Sequence, residues 1–181
     1  IKIPDLIRNG VILWALLAVV VIFGLITSVY TVEAESEGVI LRFGKARAEK
    51  VKPGLHFKLP FGVDEVYVLP VKRQLKQEYG FATENGTNTN QFSDRRGRDR
   101  EKSMVTGDLN AAEVEWIVQY RISDPEQYLF KVHDPEGALR NISESVMRTI
   151  VGDRTVDDVI TVGRQEIEED AMTMLRDIVF K

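Results

Sequence analysis

VILWALLAVVVIFGLI, residues 11–26, lies inside a run of 24 residues, 9–32, that carries no charge. A helix rises ~1.5 Å per residue, so about 20 apolar residues cross a hydrocarbon layer ~30 Å thick, and residues 10–30 meet that length. The run predicts a transmembrane helix over residues 10–31, containing Val11, Leu13, Trp14, Leu17, Val20, Phe23 and Leu25, after a short cytoplasmic segment at 1–9. A cleaved secretory signal would also place Lys2 and Arg8 before the run and small residues near Ala34, but its apolar core usually covers about 7–15 residues. A buried helix of a soluble domain seldom stays apolar on every face for so many turns.

Flanking charge leaves the orientation open, because Arg8 precedes the run while Arg42, Lys45 and Arg47 follow it closely. Long domains translocate largely regardless of their charge, which favours an N-terminus inside and the bulk of the chain outside. The whole chain carries −4. Lys2, Arg8 and Asp5 leave the first 32 residues at +1, so the remainder carries −5, which argues against a nucleic-acid partner.

Beyond the apolar run the period is that of strands. Val39, Ile40, Leu41 and Phe43 end at Gly44, and Leu55, Phe57, Leu59 and Phe61 alternate with His56, Lys58 and Pro60 after the Pro53-Gly54 turn; together they predict a β-hairpin. Val66, Val68 and residues 69–71 continue the β-rich stretch around Pro70. Val114, Trp116, Val118, Tyr120 and Ile122 fall on one face of a further strand, the core strand, with Ile117 the exception on the wet side. Residues 81–103 are poor in apolar groups and predict a flexible insert. Their arginines are interleaved with Asp94, Asp99 and Glu101 and lack aromatic neighbours, so they do not suit base stacking.

From residue 124 the period becomes helical. Asp124-Pro125 and Asp134-Pro135 each put a capping acid before a proline, and Thr155 with Asp158 marks a third start. Leu139, Ile142, Val146 and Ile150 form one stripe; Ile167, Ala171, Met174, Leu175 and Ile178 form another. Leu139, Ile142, Val146, Ile167, Met174 and Ile178 are the candidate faces for packing between subunits. Glu166, Glu168, Glu169 and Asp170 read as a solvated helix face.

No converging catalytic set is visible. His56 and His133 are the only histidines, without partners at metal-ligand spacing, and there is no cysteine, nucleophile elbow or phosphate-cradling loop. The expectation is a non-enzyme without cofactor or metal.

Residues 37–45, EGVILRFGK, followed by PGLHFKLPF at 53–61, resemble the opening of the SPFH or band 7 family of stomatins, prohibitins and flotillins. MVTGD at 104–108, VQYRI at 118–122 and DPEQYL at 124–129 resemble its bacterial HflK branch, and Leu139-Arg140, Arg148, Ile150-Val151-Gly152 and Gly163-Arg164 extend the match. The resemblance implies an α+β fold: a first subdomain over 32–130 carrying the insert 81–103, and a helical second one over 131–181, cut before a coiled coil. It further implies a scaffold at the bacterial inner membrane, facing the periplasm, that assembles with an HflC-like subunit into a cage modulating an FtsH-like AAA protease. The alternative is a stomatin-like, lipid-organising oligomer without a protease. Phe57, Leu59, Pro60 and Phe61 form a hairpin tip that either dips into the outer leaflet or fills the domain's own core.

Overall fold

A computed structural model describes residues 5–83, 95–161 and 163–180, with side chains from residue 12 onward except at 48, 49 and 95. The fold mixes helices and strands and divides into two compact units: Ile1–Arg73 with Arg121–Lys131, and Gln74–Tyr120 with Val132–Lys181.

The first unit opens with α1 (Asp5–Ser28), whose next residue already begins β1 (Val29–Val32). Among the described residues no helix is long and apolar enough to cross a membrane; Val11 lies outside the described side chains. β2 (Glu37–Arg42) is the centre of an antiparallel sheet between β3 (Lys45–Val51) and β5 (Asp64–Leu69), while β4 (Gly54–Phe57) pairs with β1. Val39 and Leu41 turn one face of β2 inward, where Val32, Val51, Val71 and Ile122 are also buried. α3 (Pro125–Phe130) lies against β2, and Asp124 caps it by accepting from the Glu126 and Gln127 N–H groups. The hairpin expected from residues 39–44 and 55–61 is therefore corrected. β2 folds back through Phe43 (φ 50°) and Gly44 (φ 76°), a two-residue turn of the kind that suits hairpins, onto the polar stretch KARAEKV. Its charged alternation concealed a strand, and Leu55 and Phe57 belong to the separate β1–β4 ribbon.

In the second unit β6 (Leu75–Tyr79) pairs with β9 (Trp116–Tyr120), and β7 (Ser103–Val105) with β8 (Ala111–Glu113). Helices α2 (Arg95–Lys102), α4 (Pro135–Gly152), α5 (Val156–Ile160) and α6 (Arg164–Val179) complete it. Asp134 accepts from the Gly137 N–H and Thr155 Oγ1 from the Asp158 N–H, so the two remaining expected caps are in place. Met104, Val146, Met147, Ile150, Val151, Ile167 and Ala171 form the core. The insert read at 81–103 is only partly a loop: residues 95–102 are helical, 103–105 are a strand, and 84–94 lie outside the described residues.

What turns this polar segment into a packed helix is Glu101, 2% exposed, which meets Arg140 of α4, 5% exposed, in a buried ion pair. Its other oxygen accepts from the Gly80 N–H at 2.7 Å. Arg140 Nη2 donates to the Glu78 carbonyl at 2.9 Å, and the guanidinium lies 4.5 Å from the centre of the Tyr79 ring. Tyr79 stacks on Trp116 at 4.6 Å, and Trp116 Nε1 donates to Ser143 Oγ on α4 at 3.0 Å. Replacing Arg140 with Met keeps the volume but strands a buried carboxylate, so the variant is expected to lose about 3–5 kcal/mol. Denaturant unfolding of parent and variant checks this; a loss under ~1 kcal/mol would show that water reaches Glu101.

Candidate functional site: an apolar surface on the first unit

From Ile12 to Ile26 the large side chains of α1 are exposed; Gly24 is its one buried position among the described residues. Glycine inside a helix costs ~1 kcal/mol relative to alanine, and here close approach explains it. A Cβ at 24 would stand 3.3 Å from the Phe61 ring and 3.5 Å from Pro60 Cγ, so the 58–63 segment rests on the helix at this point. The contact continues in the backbone, where the Lys58 N–H donates to the Ser28 carbonyl at 2.7 Å and satisfies one of the acceptors a helix leaves open at its end.

Two Phe-Gly pairs shape the tip. Phe43 (φ 50°) precedes Gly44, and Phe61 (φ 62°) precedes Gly62 (φ 76°). Left-handed backbone is rare and strained for a bulky residue, of order 1–2 kcal/mol, and such strain concentrates at functional positions. Phe43 is 81% exposed, Phe61 is 64% exposed with one ring edge against Gly24, and the Phe43 N–H donates to the Val63 carbonyl at 3.0 Å, tying the two turns together. Phe57 is 73% exposed, and Val29, Leu55 and Leu59 are exposed as well.

The tip is held from behind by Asp64, whose side chain is 3% exposed. Its oxygens accept from Arg42 Nε at 2.8 Å, Arg42 Nη2 at 3.0 Å and the Leu59 N–H at 3.1 Å. The Arg42 hydrogen bond is the largest influence and brings the carboxyl down to about 2, reinforced by the Leu59 N–H and opposed by burial. Nearby, the Tyr30 and His56 rings lie 5.8 Å apart, and a His56 ring nitrogen sits 2.7 Å from the Lys52 carbonyl.

Leu13, Trp14, Leu17, Val20, Phe23 and Leu25 lie on exposed α1; Phe57, Leu59 and Phe61 are exposed, and Pro60 is half-buried against Gly24. Of the core strand, Val114 and Trp116 pack on the second unit's core, Val118 and Tyr120 are half-buried in β9, and Ile122 is buried in the first unit. Of the helix faces, Val146 and Ile167 are in that same core with Ile142 against it, Leu139 is half-buried, and Met174 and Ile178 are exposed. Val146, Ile142 and Ile167 thus serve the chain's own interior. Glu166 and Asp170 pair with Arg154 at 3.0 and 2.7 Å, and no group that could hold a metal occurs among the described residues. The sequence placed Phe43 at the end of a strand, where the structure has a turn, and gave no role to Gly24 or Asp64. The repeated Phe-Gly dipeptide was the available signal.

The model of the SPFH domain / Band 7 family matches residues 30–179. The chain is similar to Protein HflK of Treponema pallidum (strain Nichols), 36% identical over 158 residues, 86% of this chain and 47% of that protein. It is similar to Protein HflK of Borreliella burgdorferi, 33% identical over 157 residues, 85% of this chain and 48% of that one. Against Modulator of FtsH protease HflK of Escherichia coli (strain K12) it is 32% identical over 162 residues, 90% of this chain and 33% of that one. The chain spans about half the length, or less, of these curated relatives.

The Asp64 carboxyl sits below its ordinary 3.8, so its contribution to stability is complete above about pH 4 and is lost as the pH falls toward 2. An Asp64→Asn variant is expected to be less stable than the parent at pH 7 and to lack that part of the acid-side decline. Unfolding followed at stepwise pH checks it; identical profiles would mean that the Arg42–Asp64 pair does not couple to folding.

Proposed function

The chain belongs to the SPFH domain / Band 7 family, and we propose that it is a membrane-anchored scaffold subunit resembling HflK, which assembles with an HflC-like subunit into a large cage and modulates an FtsH-like membrane protease. The observation that carries this reading is the apolar surface of the first unit, which joins α1 to the tip residues Phe57, Leu59 and Phe61. A continuous exposed surface of this size marks contact with lipid or protein. In this reading α1, counted with uncharged residues 9–11, spans the bacterial inner membrane once, with the N-terminus cytoplasmic and the remainder periplasmic.

The tip then supplies a second lipid contact beside the helix. Burying each exposed Phe contributes about 1.5–3 kcal/mol, ample for orienting a domain already tethered. The strained turns and the Asp64 brace hold the rings outward before any lipid arrives, so little ordering is left for binding. The helical unit contributes Met174 and Ile178 as exposed apolar groups for neighbouring subunits. The chain works by placing other proteins, and the protease performs the chemistry.

Two experiments test the reading. A mild-detergent pull-down of the full-length tagged protein from its native membrane is expected to recover a related SPFH subunit and an AAA protease in one very large particle. Self-oligomers with lipid alone would overturn the protease role in favour of a stomatin-like organiser. The chain has no cysteine, so a single Phe57→Cys variant can carry an environment-sensitive fluorophore. Its emission is expected to shift to the blue in native-composition vesicles relative to detergent-free solution of the soluble portion. Replacing Phe61 with Ser is expected to reduce the shift while leaving the thermal midpoint within a few degrees, and an unshifted label would remove the tip from the membrane.

A further inference from the structure

Beside the exposed rings at the tip of the first unit stand Lys45, Arg47 and Lys58, and we propose that these cations recognise the headgroups of anionic phospholipids, so that the tip gathers acidic lipid around α1. This rests on the reading above that the tip meets the bilayer, and it names the lipid class that the tip selects.

The turns and the clasp on α1 place the three cations. Lys45 is the first residue after the Phe43-Gly44 turn, Arg47 follows on the same strand, and Lys58 is the neighbour of Phe57. Lys45 and Arg47 are exposed and Lys58 is half-buried. Among the described residues none of the three makes an ion pair. The bond from the Lys58 N–H to the Ser28 carbonyl puts this residue at the end of α1, the level at which a spanning helix leaves the hydrocarbon. Asp64 reports the position of Arg47. Its carboxyl is lowered first by the Arg42 hydrogen bond, and Arg47 adds to the lowering, so that guanidinium belongs to the same end of the sheet.

The neighbouring acids leave this charge uncancelled. Asp64 is buried and already held by Arg42, and Glu65 is the one exposed acid of β5. Glu37 opens β2 and Arg42 ends it, which at ~3.4 Å per residue separates them by about 17 Å. Glu33 and Glu35 precede that far end. The separation is about twice the ~8 Å over which exposed charges act at physiological salt. The chain as a whole carries −4, so an anionic surface attracts the tip while repelling the protein at large. Aromatic rings set among lysine and arginine suit the boundary between headgroups and acyl chains. Each such cation favours an anionic surface about fivefold.

Energy transfer in the full-length protein tests the selection. A Phe57→Cys variant labelled with a donor fluorophore is reconstituted in phosphatidylcholine vesicles holding about 30% phosphatidylglycerol, with a trace of one lipid or the other carrying an acceptor on its acyl chain. At ~0.05 M salt the acceptor density around the donor is expected to be about threefold higher for phosphatidylglycerol; at ~1 M, where charges act over ~3 Å, the two are expected to be equal. Lys45→Gln/Arg47→Gln/Lys58→Gln is expected to equalise them at low salt, while Lys45→Arg/Lys58→Arg keeps the excess. Equal transfer to both lipids in the parent would overturn the selection and leave the tip at the bilayer. Transfer to neither would overturn the membrane reading and the selection together. An excess that survives the triple substitution or high salt, or that the arginine variant loses, would remove the charge of these residues as the selector.

Discussion

The buried guanidinium of Arg140 is the constraint on which the second unit depends. From one position on α4 it holds the carboxylate of Glu101 on α2, the carbonyl of Glu78 on β6 and the face of Tyr79. Tyr79 stacks on Trp116 of β9, whose indole N–H returns to Ser143 on α4. The circuit closes on the helix where it began. A planar fork with several fixed donors suits this role, and a lysine ammonium would meet one or two of the demands at most. Such a buried pair adds little net stability, yet it penalises any packing that leaves one member alone. α2 carries almost no apolar surface, so it is this charge, more than burial, that gives the helix its place.

The first unit solves a different problem with a similar device. Its tip leaves Phe43, Phe57, Leu59 and Phe61 exposed. Asp64 accepts from Arg42 on the neighbouring strand and from the Leu59 backbone in the loop, so the loop is pinned from its polar side. Gly24 completes the support by letting Phe61 and Pro60 approach the helix closely. The sheet alternates in the ordinary way, with Val39 and Leu41 inward, and the exposed aromatics come from turns where alternation does not apply.

What could be read from the residues alone follows the range of the interactions. The caps at Asp124, Asp134 and Thr155 were legible because capping is written within four residues. The alternation of Trp116, Val118 and Tyr120 was legible because one strand carries its own pattern. Which strand pairs with which was not: residues 39–41 and 55–57 are both β, but their partners are β3, β5 and β1, chosen by long-range packing and a left-handed turn at Phe43. Residues 95–102 looked like loop because helical periodicity is read from apolar stripes, and the anchor here is an acid, Glu101, answered by an arginine 39 positions away. Of the apolar surface, the run through α1 and the rings at 57 and 61 were visible, and the Asp64 brace was hidden for the same reason of distance.

The junction between α1 and β1 has a mechanical consequence. Ser28 ends the helix, Val29 begins the strand, and the Lys58 N–H clasps the last turn from the side, so no linker residue is available to act as a joint. The helix therefore passes directly into the β1–β4 ribbon, and any change of angle between them has to be taken up in the Ser28–Val29 backbone and in the Lys58 clasp.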